Sequence, residues 1–377
     1  MSAVQTREYI HDLTLLECIQ CGRCTGGCPV SLKTILNVRR LIYESLISDT
    51  IEVDSHEELW DCTTCKTCTL RCPKGVDPCG LIITLREALV EGGRIPPTVR
   101  DALKSITIRG NPLNMPPEDR AAWADDLDVK RILDESADVL FFVGCMGSYD
   151  LRIQKVTRAL VKAFRSAGVD FGILGEDEMC CAHEARRLGE KELFEGVVEE
   201  YQEIFGEVEA NRMVTLSPHC FNAFKNEYGE LPFPVFHYTQ FLAELIREDK
   251  LRLTGEIKKR VTYHDPCFLG KQNGIFDEPR FVLQSIPGLE LVEMDRCRQW
   301  SLCCEGGGGR MWAEGTNIEV RLSHERVREA METGAEILAV ACPFCMAMLE
   351  DAVKILGLEE KLQVLDIAEL VAMSLEG

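Results

Sequence analysis

Short apolar runs recur in the C-terminal part of the chain, and a cysteine follows each of them. The runs are too short for helices and rich in aromatic or β-branched residues, which predicts buried strands at 139–143, 213–216, 261–263 and 337–341. Between them, charged stretches with apolar residues at helical spacing predict helices at 153–167, 190–208 and 317–333. Alternating strands and helices predict parallel sheets. Because such sheets place ligand sites beyond the carboxyl ends of their strands, these cysteines are candidate site residues.

The N-terminal part shows helical rather than strand-like patterns. Apolar residues at helical spacing predict one helix over 32–47 and a second over 81–90, and the latter ends at a Gly-Gly pair. The stretch 92–128 contains five prolines and no cysteine, which predicts an irregular connector. We therefore predict an α+β multidomain protein with an all-α N-terminal module followed by two tandem α/β repeats. The expected boundaries are 1–92 for the module, 93–135 for the connector, and 136–255 and 256–377 for the repeats.

The cysteines of the C-terminal part form two series with nearly equal spacing. The first series is Cys145, Cys180, Cys181 and Cys220, and the second is Cys267, Cys303, Cys304, Cys342 and Cys345. Gaps of 34 residues before the twin cysteines and 35 after them, up to the SPHC segment at 217–220, correspond in the second series to gaps of 35 and, up to the CPFC segment at 342–345, 37. This internal similarity predicts a duplication.

Composition narrows the chemistry of the 19 cysteines. The N-terminus has no basic stretch followed by an apolar one, so we expect no signal peptide and a cytoplasmic protein whose thiols are ligands rather than disulfides. No run of 18 apolar residues occurs, so no membrane span is expected, although the protein could lie at the periphery of a membrane complex. The formal charge of −20 disfavours nucleic acid as a partner.

Two runs in the N-terminal module have the spacing C-x2-C-x2-C-x3-C-P. In this pattern a tight loop directs three thiolates to one cubane 4Fe-4S cluster, whereas the fourth cysteine, before proline, is a ligand of the other cluster. The predicted ligand sets are Cys18, Cys21, Cys24 and Cys72 for one cubane, and Cys62, Cys65, Cys68 and Cys28 for the other. Zinc is the alternative, but it leaves the third cysteine and the C-P step unexplained. Cys79 and Cys297 lie outside these patterns and are expected to be packed or free thiols.

The twin cysteines of each series suit a multi-metal cluster better than a single zinc ion, because adjacent side chains diverge. Four glycines at 306–309 follow the second pair, and their backbone amides could approach a cluster, although a flexible loop would look the same. Gly306, Gly307 and His264 are therefore candidate cofactor-binding residues, with a structural role as the alternative for His264. Arg310 could pair with an anionic ligand or form a surface ion pair.

The order of these motifs resembles the D subunit of heterodisulfide reductase, in which a C-type subunit with two cubanes is fused to a B-type subunit with two cysteine-rich CCG domains. The resemblance implies an N-terminal ferredoxin module and two CCG repeats. It also implies that the five cysteines of the second series are catalytic and hold a noncubane 4Fe-4S cluster. In that family two such clusters face each other and split a substrate disulfide, with electrons arriving through the cubanes.

The chain departs from this family pattern at three positions. Ser217 replaces the first cysteine of the CxxC pair in repeat one, and Ala182 and Glu305 replace the glycine of CCG. We expect the glycine changes to matter little. Serine is a harder ligand than a thiolate, so repeat one could hold a cluster with a substituted ligand, a different metal centre near His183 and His219, or no metal.

These observations favour an iron–sulfur electron-transfer subunit of a heterodisulfide-reductase-like oxidoreductase. Direct disulfide reduction at the CCG clusters is the alternative, so whether the chain is itself an enzyme stays open, and a zinc-stabilised scaffold is a third hypothesis. Expected partners are a flavin-containing subunit like the A subunit of heterodisulfide reductase, an electron-transferring flavoprotein or a cytochrome. We expect no flavin or nicotinamide on this chain, because it has neither a Walker loop nor a G-x-G-x-x-G after a strand.

Overall fold

The computed structural model describes residues 3–5, 9–53, 56–317, 319 and 321–375. Its N-terminal module contains the helices α1 (Arg23–Gly26), α2 (Val38–Ile47), α3 (Thr67–Leu70) and α4 (Pro78–Glu91). Two short strands, β1 (Ala3–Gln5) and β2 (Thr50–Glu52), pair antiparallel. The prediction of an all-α module is therefore wrong for these two segments. Helix α2 starts later than expected because Asn37 caps it, its side chain accepting a hydrogen bond from the backbone N–H of Arg40.

The stretch predicted as an irregular connector contains a 13-residue helix, α5 (Pro97–Arg109). Proline is favoured in the first helical turn, where its missing N–H has no partner to lose, and Pro97 occupies that position. Gly110 ends the helix in the left-handed conformation. Val99 and Ile106 are buried in the hydrophobic core shared with the N-terminal module. The prediction of an irregular segment is therefore wrong for 97–109.

Repeat one contains a five-stranded parallel sheet in the order β3-β5-β4-β6-β7, and its edge strand β3 comes from the stretch 93–135 that was predicted to be a connector. Its strands are β3 (Lys130–Arg131), β4 (Val139–Phe142), β5 (Phe171–Ile173), β6 (Arg212–Thr215) and β7 (Val235–His237). Its helices are α6 (Gly144–Tyr149), α7 (Leu151–Ser166), α8 (His183–Leu188), α9 (Lys191–Glu207), α10 (Pro218–Asn226) and α11 (Tyr238–Arg247). The predicted strands at 139–143 and 213–216 correspond to the central strands β4 and β6.

Repeat two contains a four-stranded parallel sheet in the order β11-β10-β8-β9. Its strands are β8 (Arg260–Tyr263), β9 (Glu290–Val292), β10 (Ile337–Val340) and β11 (Gln363–Asp366). Its helices are α12 (Asp277–Gln284), α13 (Leu322–Glu332), α14 (Pro343–Ile355) and α15 (Ile367–Ser374). The mixed α/β class is confirmed, and α13 begins five residues later than the pattern at 317–333 predicted.

The two sheets place their cysteines at corresponding points. The chain leaves the carboxyl ends of β4 and β8 towards Cys145 and Cys267, and it leaves β6 and β10 towards the SPHC and CPFC segments that open α10 and α14. This is the edge at which parallel α/β sheets form sites. Among the described residues, none of the helices combines the length and apolar character that crossing a bilayer requires.

Candidate functional site

The first predicted set of cubane ligands lines one cavity close to the surface. Its members are Cys18, Cys21, Cys24 and Cys72. Cys21 is exposed and the other three are half-buried. Gly22 adopts a left-handed conformation before α1, which turns the loop back between its cysteines. The structure thus brings together a cysteine of the second run and three of the first, although ligation itself stays a prediction.

The second set is buried. Its members are Cys28, Cys62, Cys65 and Cys68. Cys68 lies close enough to Cys62 and Cys28 for their charges to interact. Burial raises the pKa of Cys62 to about 12. Several such thiols in one dry site ionise only beside a cation that stabilises thiolate, so this donor set fits a cationic iron–sulfur core.

The buried set touches repeat two directly. The Sγ atom of Cys303 lies 3.4 Å from the Oγ1 atom of Thr63, and the side chains of Cys65 and Cys303 are within hydrogen-bonding contact. Buried Lys271 reaches across the same boundary and donates to the Oγ1 atom of Thr67 at 2.8 Å. The second ferredoxin loop, residues 62–68, and the twin cysteines of repeat two therefore pack against each other in a buried interface.

The glycine run 306–309 is a place of close approach rather than a flexible loop. Gly308 has a φ of +65°, and a Cβ there would lie 2.5 Å from the carbonyl carbon of Thr63. A Cβ on Gly309 would collide with Leu188 of α8. The run is therefore enclosed by the ferredoxin module and repeat one. Contact of Gly306 and Gly307 with a cluster stays a prediction.

Buried Arg86 on α4 connects all three parts of the chain. Its guanidinium donates to the carbonyl oxygens of Leu59 and Cys62 in the module, Arg187 in repeat one and Gly308 in repeat two. No motif or spacing marks this arginine, so the sequence analysis missed it.

All five cysteines of the second series are buried, and they lie at the end of the repeat-two sheet. The Sγ atoms of Cys304 and Cys345 are 3.3 Å apart. A ring nitrogen of His264 lies within 4.8 Å of both sulfurs, and the Nε atom of Arg326 donates to its Nδ1 atom at 3.0 Å. His264 therefore lies beside the candidate cluster, held by an arginine that the sequence did not indicate.

The cysteines of repeat one are similarly close together. The Sγ atoms of Cys181 and Cys220 are 3.3 Å apart, and Cys145 is in hydrogen-bonding contact with Cys180. Ser217, at the position of the missing cysteine, accepts a hydrogen bond from the N–H of His219 and so caps α10. The structure gathers four thiols and uses the serine hydroxyl for the helix end.

A buried ion pair that the sequence did not indicate supports repeat one. The NH2 atom of Arg120 lies 2.9 Å from the Oε1 atom of Glu178 and 3.6 Å from the Sγ atom of Cys145. Glu178 also accepts hydrogen bonds from the N–H groups of Val143 and Gly144 at the end of β4. The pair thus positions the loop that carries Cys145.

The two repeats meet through corresponding residues of their SPHC and CPFC segments. The rings of His219 and Phe344 stack with centroids 4.4 Å apart. Burial alone would lower the pKa of His219, but hydrogen bonds to Cys342 and Glu184 raise it to about 10. Burial alone would raise the pKa of Cys342, but its bonds to Cys345 and His219 lower it to about 5. Contact between His219 and Cys342 therefore links the two candidate sites, beside a cavity lined by both repeats.

Two residues at the CCG positions have left-handed backbone, which explains the glycine of the family pattern. Ala182 has a φ of +50° and Glu305 a φ of +72°. Glu305 is also buried and accepts hydrogen bonds from the NH2 atom of Arg310 and the N–H of Leu322. Arg310 is thus an internal partner of Glu305 rather than part of a surface ion pair, and its pairing with an anionic ligand stays a prediction. The glycine replacement matters more than expected at Glu305.

The remaining cysteines occupy different surroundings. Cys79 is buried near the second cubane set, where its charge interacts with that of Cys68. Cys297 is half-buried at the start of a short 3₁₀ turn and outside the second series.

Family models match most of this architecture. A 4Fe-4S dicluster domain matches residues 14–76, and a cysteine-rich domain, CCG, matches residues 139–225 and again 261–350. The duplication and the order of motifs are therefore confirmed. A solved glutamate racemase from Campylobacter jejuni aligns with 62% of this chain and 82% of its own at 12% identity, but its TM-score of 0.28 supports no inference.

Full-length relatives agree with the domain matches. The D subunit of the dihydromethanophenazine:CoB–CoM heterodisulfide reductase of Methanosarcina barkeri is 33% identical over 100% of this chain and 96% of its own. The probable iron-sulfur-binding oxidoreductase FadF of Bacillus subtilis is 33% identical over 97% of this chain, and the EtfAB:quinone oxidoreductase of Syntrophomonas wolfei is 30% identical over 97%. The chain spans about three-fifths of the length of these two relatives, 60% and 58%. It belongs to the family of the heterodisulfide reductase D subunits, with matches to a 4Fe-4S dicluster domain and to a repeated cysteine-rich domain.

Proposed function

We propose that the chain is the electron-transfer subunit of a heterodisulfide-reductase-like complex. Its cysteines would hold two cubane clusters in the ferredoxin module and one noncubane cluster in repeat two. The proposed ligand sets are Cys18, Cys21, Cys24 and Cys72; Cys28, Cys62, Cys65 and Cys68; and Cys267, Cys303, Cys304, Cys342 and Cys345. Bound clusters of this kind supply one-electron transfer. The observation that carries the proposal is the contact of the loop 63–65 with Cys303.

The burial of the three sets suggests a direction for the route. The first set is the one with an exposed cysteine, Cys21, and exposed Ile19 lies beside it. A redox partner can therefore approach this set, whereas the second set and the repeat-two set are buried. Electrons would enter at the first set and cross to repeat two at Cys303. The partner would be an electron-transferring flavoprotein, a flavin-containing subunit or a cytochrome, and similarity to an EtfAB:quinone oxidoreductase favours the first.

Metal analysis of cysteine variants tests the route. Anaerobically purified protein should contain about 12 irons per chain if three clusters are bound, and more if repeat one is also loaded. Cys345→Ala should lose about four irons while the cubane signals in electron paramagnetic resonance persist. Cys297→Ala, which removes a cysteine outside the three sets, should retain all of the iron. An unchanged iron content in Cys345→Ala would contradict the assignment of repeat two.

Disulfide reduction is a second candidate, favoured by the cavity between the repeats. Cys145 and Cys181 of repeat one line it opposite Phe344 of repeat two. The helix-capping role of Ser217 weakens this candidate, since it leaves repeat one with four thiols. Rapid turnover of a heterodisulfide by the reduced protein would favour it over simple electron transfer.

A further inference from the structure

Three side chains outside the cysteine sets converge at the junction of the repeats. His183 and Glu184 start α8, and His219 lies in the first turn of α10. Each is at most 4% exposed, and their candidate ligand atoms all lie within 4.8 Å of one another. They form a compact group of two imidazoles and one carboxylate, which we call the His-Glu-His cluster.

His183 is the least satisfied member of this cluster. It is 1% exposed, and neither of its ring nitrogens has a hydrogen-bond partner. Its ring meets Phe268 edge-on with centroids 4.4 Å apart, so this apolar neighbour offers it no acceptor. The Nε2 atom lies 3.9 Å from the Oε1 atom of Glu184, too far for a hydrogen bond. Buried imidazoles normally have partners, and the nitrogens of His183 are available to a ligand in the cavity that this ring lines.

The other two members are held by surrounding groups. The Oε1 atom of Glu184 lies 2.8 Å from the Nδ1 atom of His219, and its Oε2 atom accepts from the N–H of Gly309 at 2.8 Å. His219 is also in hydrogen-bonding contact with Cys342. A metal ion would take the place of the proton between Oε1 and Nδ1. The hydrogen bonds on the other oxygen of Glu184 and the other nitrogen of His219 would then orient the two ligands.

We propose that His183, Glu184 and His219 bind one divalent first-row transition-metal ion, separate from the iron–sulfur clusters. Two imidazoles and a carboxylate suit Zn²⁺ or Fe²⁺, and donors at about 2.0–2.2 Å in a tetrahedral site lie about 3.3–3.6 Å from one another. The Oε1 atom of Glu184 already lies 2.8 Å from a nitrogen of His219 and 3.9 Å from one of His183, so small side-chain shifts would form the site. Such a site keeps a coordination position open, and here that position faces the cavity beside Cys181 and Cys220. An oxygen or sulfur ligand entering the cavity could occupy it.

Zinc uptake and X-ray absorption test the proposal. Anaerobic holoprotein is treated with a chelator that leaves its iron and sulfide unchanged, and Zn²⁺ alone is then added. We expect about one zinc per chain, with nitrogen and oxygen neighbours and no sulfur at the zinc edge. His183→Gln and Glu184→Gln should each weaken zinc binding about tenfold or more. The metal present before chelation distinguishes zinc from ferrous iron, and either supports the proposal.

His11→Gln is the matched control, because it removes an exposed histidine far from these ligands in sequence and should bind zinc as the wild type does. No stoichiometric zinc uptake by the wild type would overturn the proposal. A sulfur shell would also overturn it, since the ion would then sit on cysteines. A variant that loses iron as well as zinc binding is misfolded. The X-ray absorption spectrum of the zinc-loaded wild type then decides whether nitrogen and oxygen or sulfur surround the ion.

Discussion

Repeats one and two share a backbone plan but use one position differently. Ser217 and Cys342 are both the N-cap of a helix that begins with proline. The serine accepts a hydrogen bond from the helix backbone, whereas Cys342 makes no side-chain cap bond and has its sulfur in contact with Cys345 and His219. An N-cap side chain that makes no hydrogen bond to its helix is available to bind a metal. The comparison teaches that the side chain at this N-cap position can either stabilise the helix or act as a ligand.

The largest effect should come from making repeat two resemble repeat one. In Cys342→Ser, the hydroxyl should cap α14, and a thiolate of the proposed cluster is lost. We expect a loss of about four irons per chain and of the noncubane signal, with the cubane signals unchanged. Iron analysis and electron paramagnetic resonance measure both. Full iron retention would show that this position does not ligate.

The reciprocal change sharpens the comparison. Ser217→Cys gives repeat one five thiols and should change its metal content, seen as a new or altered cluster signal. The lost cap should destabilise α10 by about 1 kcal/mol. Ser217→Ala is the control, since it loses the same cap without adding a thiol. Equal spectra for the two variants would mean that repeat one cannot hold the family's cluster.

The buried ion pairs of the repeats provide the next contrast. Arg120 pairs with Glu178 in repeat one, and Arg280 binds both carboxylate oxygens of Asp265 in repeat two. Arg120→Met should lower the free energy of unfolding by about 3–5 kcal/mol, because it leaves a buried carboxylate unpaired. Anaerobic urea unfolding measures this loss.

The control for Arg120→Met is Arg158→Met, which breaks an exposed pair with Asp126. That change should cost at most about 1 kcal/mol. Similar losses in the two variants would contradict the role assigned to burial.

The smallest effect should come from Ala182→Gly at the left-handed CCG position of repeat one, and the corresponding change in repeat two should have the opposite sign. Ala182→Gly should raise the free energy of unfolding by about 0.5–1 kcal/mol, because glycine adopts φ of +50° without strain. Glu305→Gly gains the same relief but leaves buried Arg310 without its carboxylate, so it should destabilise. Thermal denaturation of both variants checks the opposite signs.

Much of this architecture could be predicted from local patterns. The central strands β4, β6, β8 and β10 were found from short apolar runs, and the cysteine sets from their spacing. Both signals are local. The structure brings the cysteines of each set close together, and their ligation stays a prediction. Helix α5 was missed because Pro97 marks a helix start as well as a break.

The supporting residues could not be found in this way. Arg86, Arg120 and Glu178 act through partners 10 to 222 residues away, and no spacing rule connects them. Arg310 looked exposed because it follows four glycines, yet its partner Glu305 is five residues earlier in a buried turn. Local sequence thus identified the candidate ligands, whereas their support depends on the folded chain.

The hydrogen bonds of Arg86 have a consequence for dissecting the molecule. Two of its four carbonyl acceptors belong to the ferredoxin module and one to each repeat. A fragment ending at residue 92 would keep the guanidinium of Arg86 and lose half of its acceptors. The charge, which is buried in the full chain, would then be exposed to solvent. Separately expressed halves should therefore recombine poorly, and joining both halves in one polypeptide keeps every acceptor within reach of Arg86.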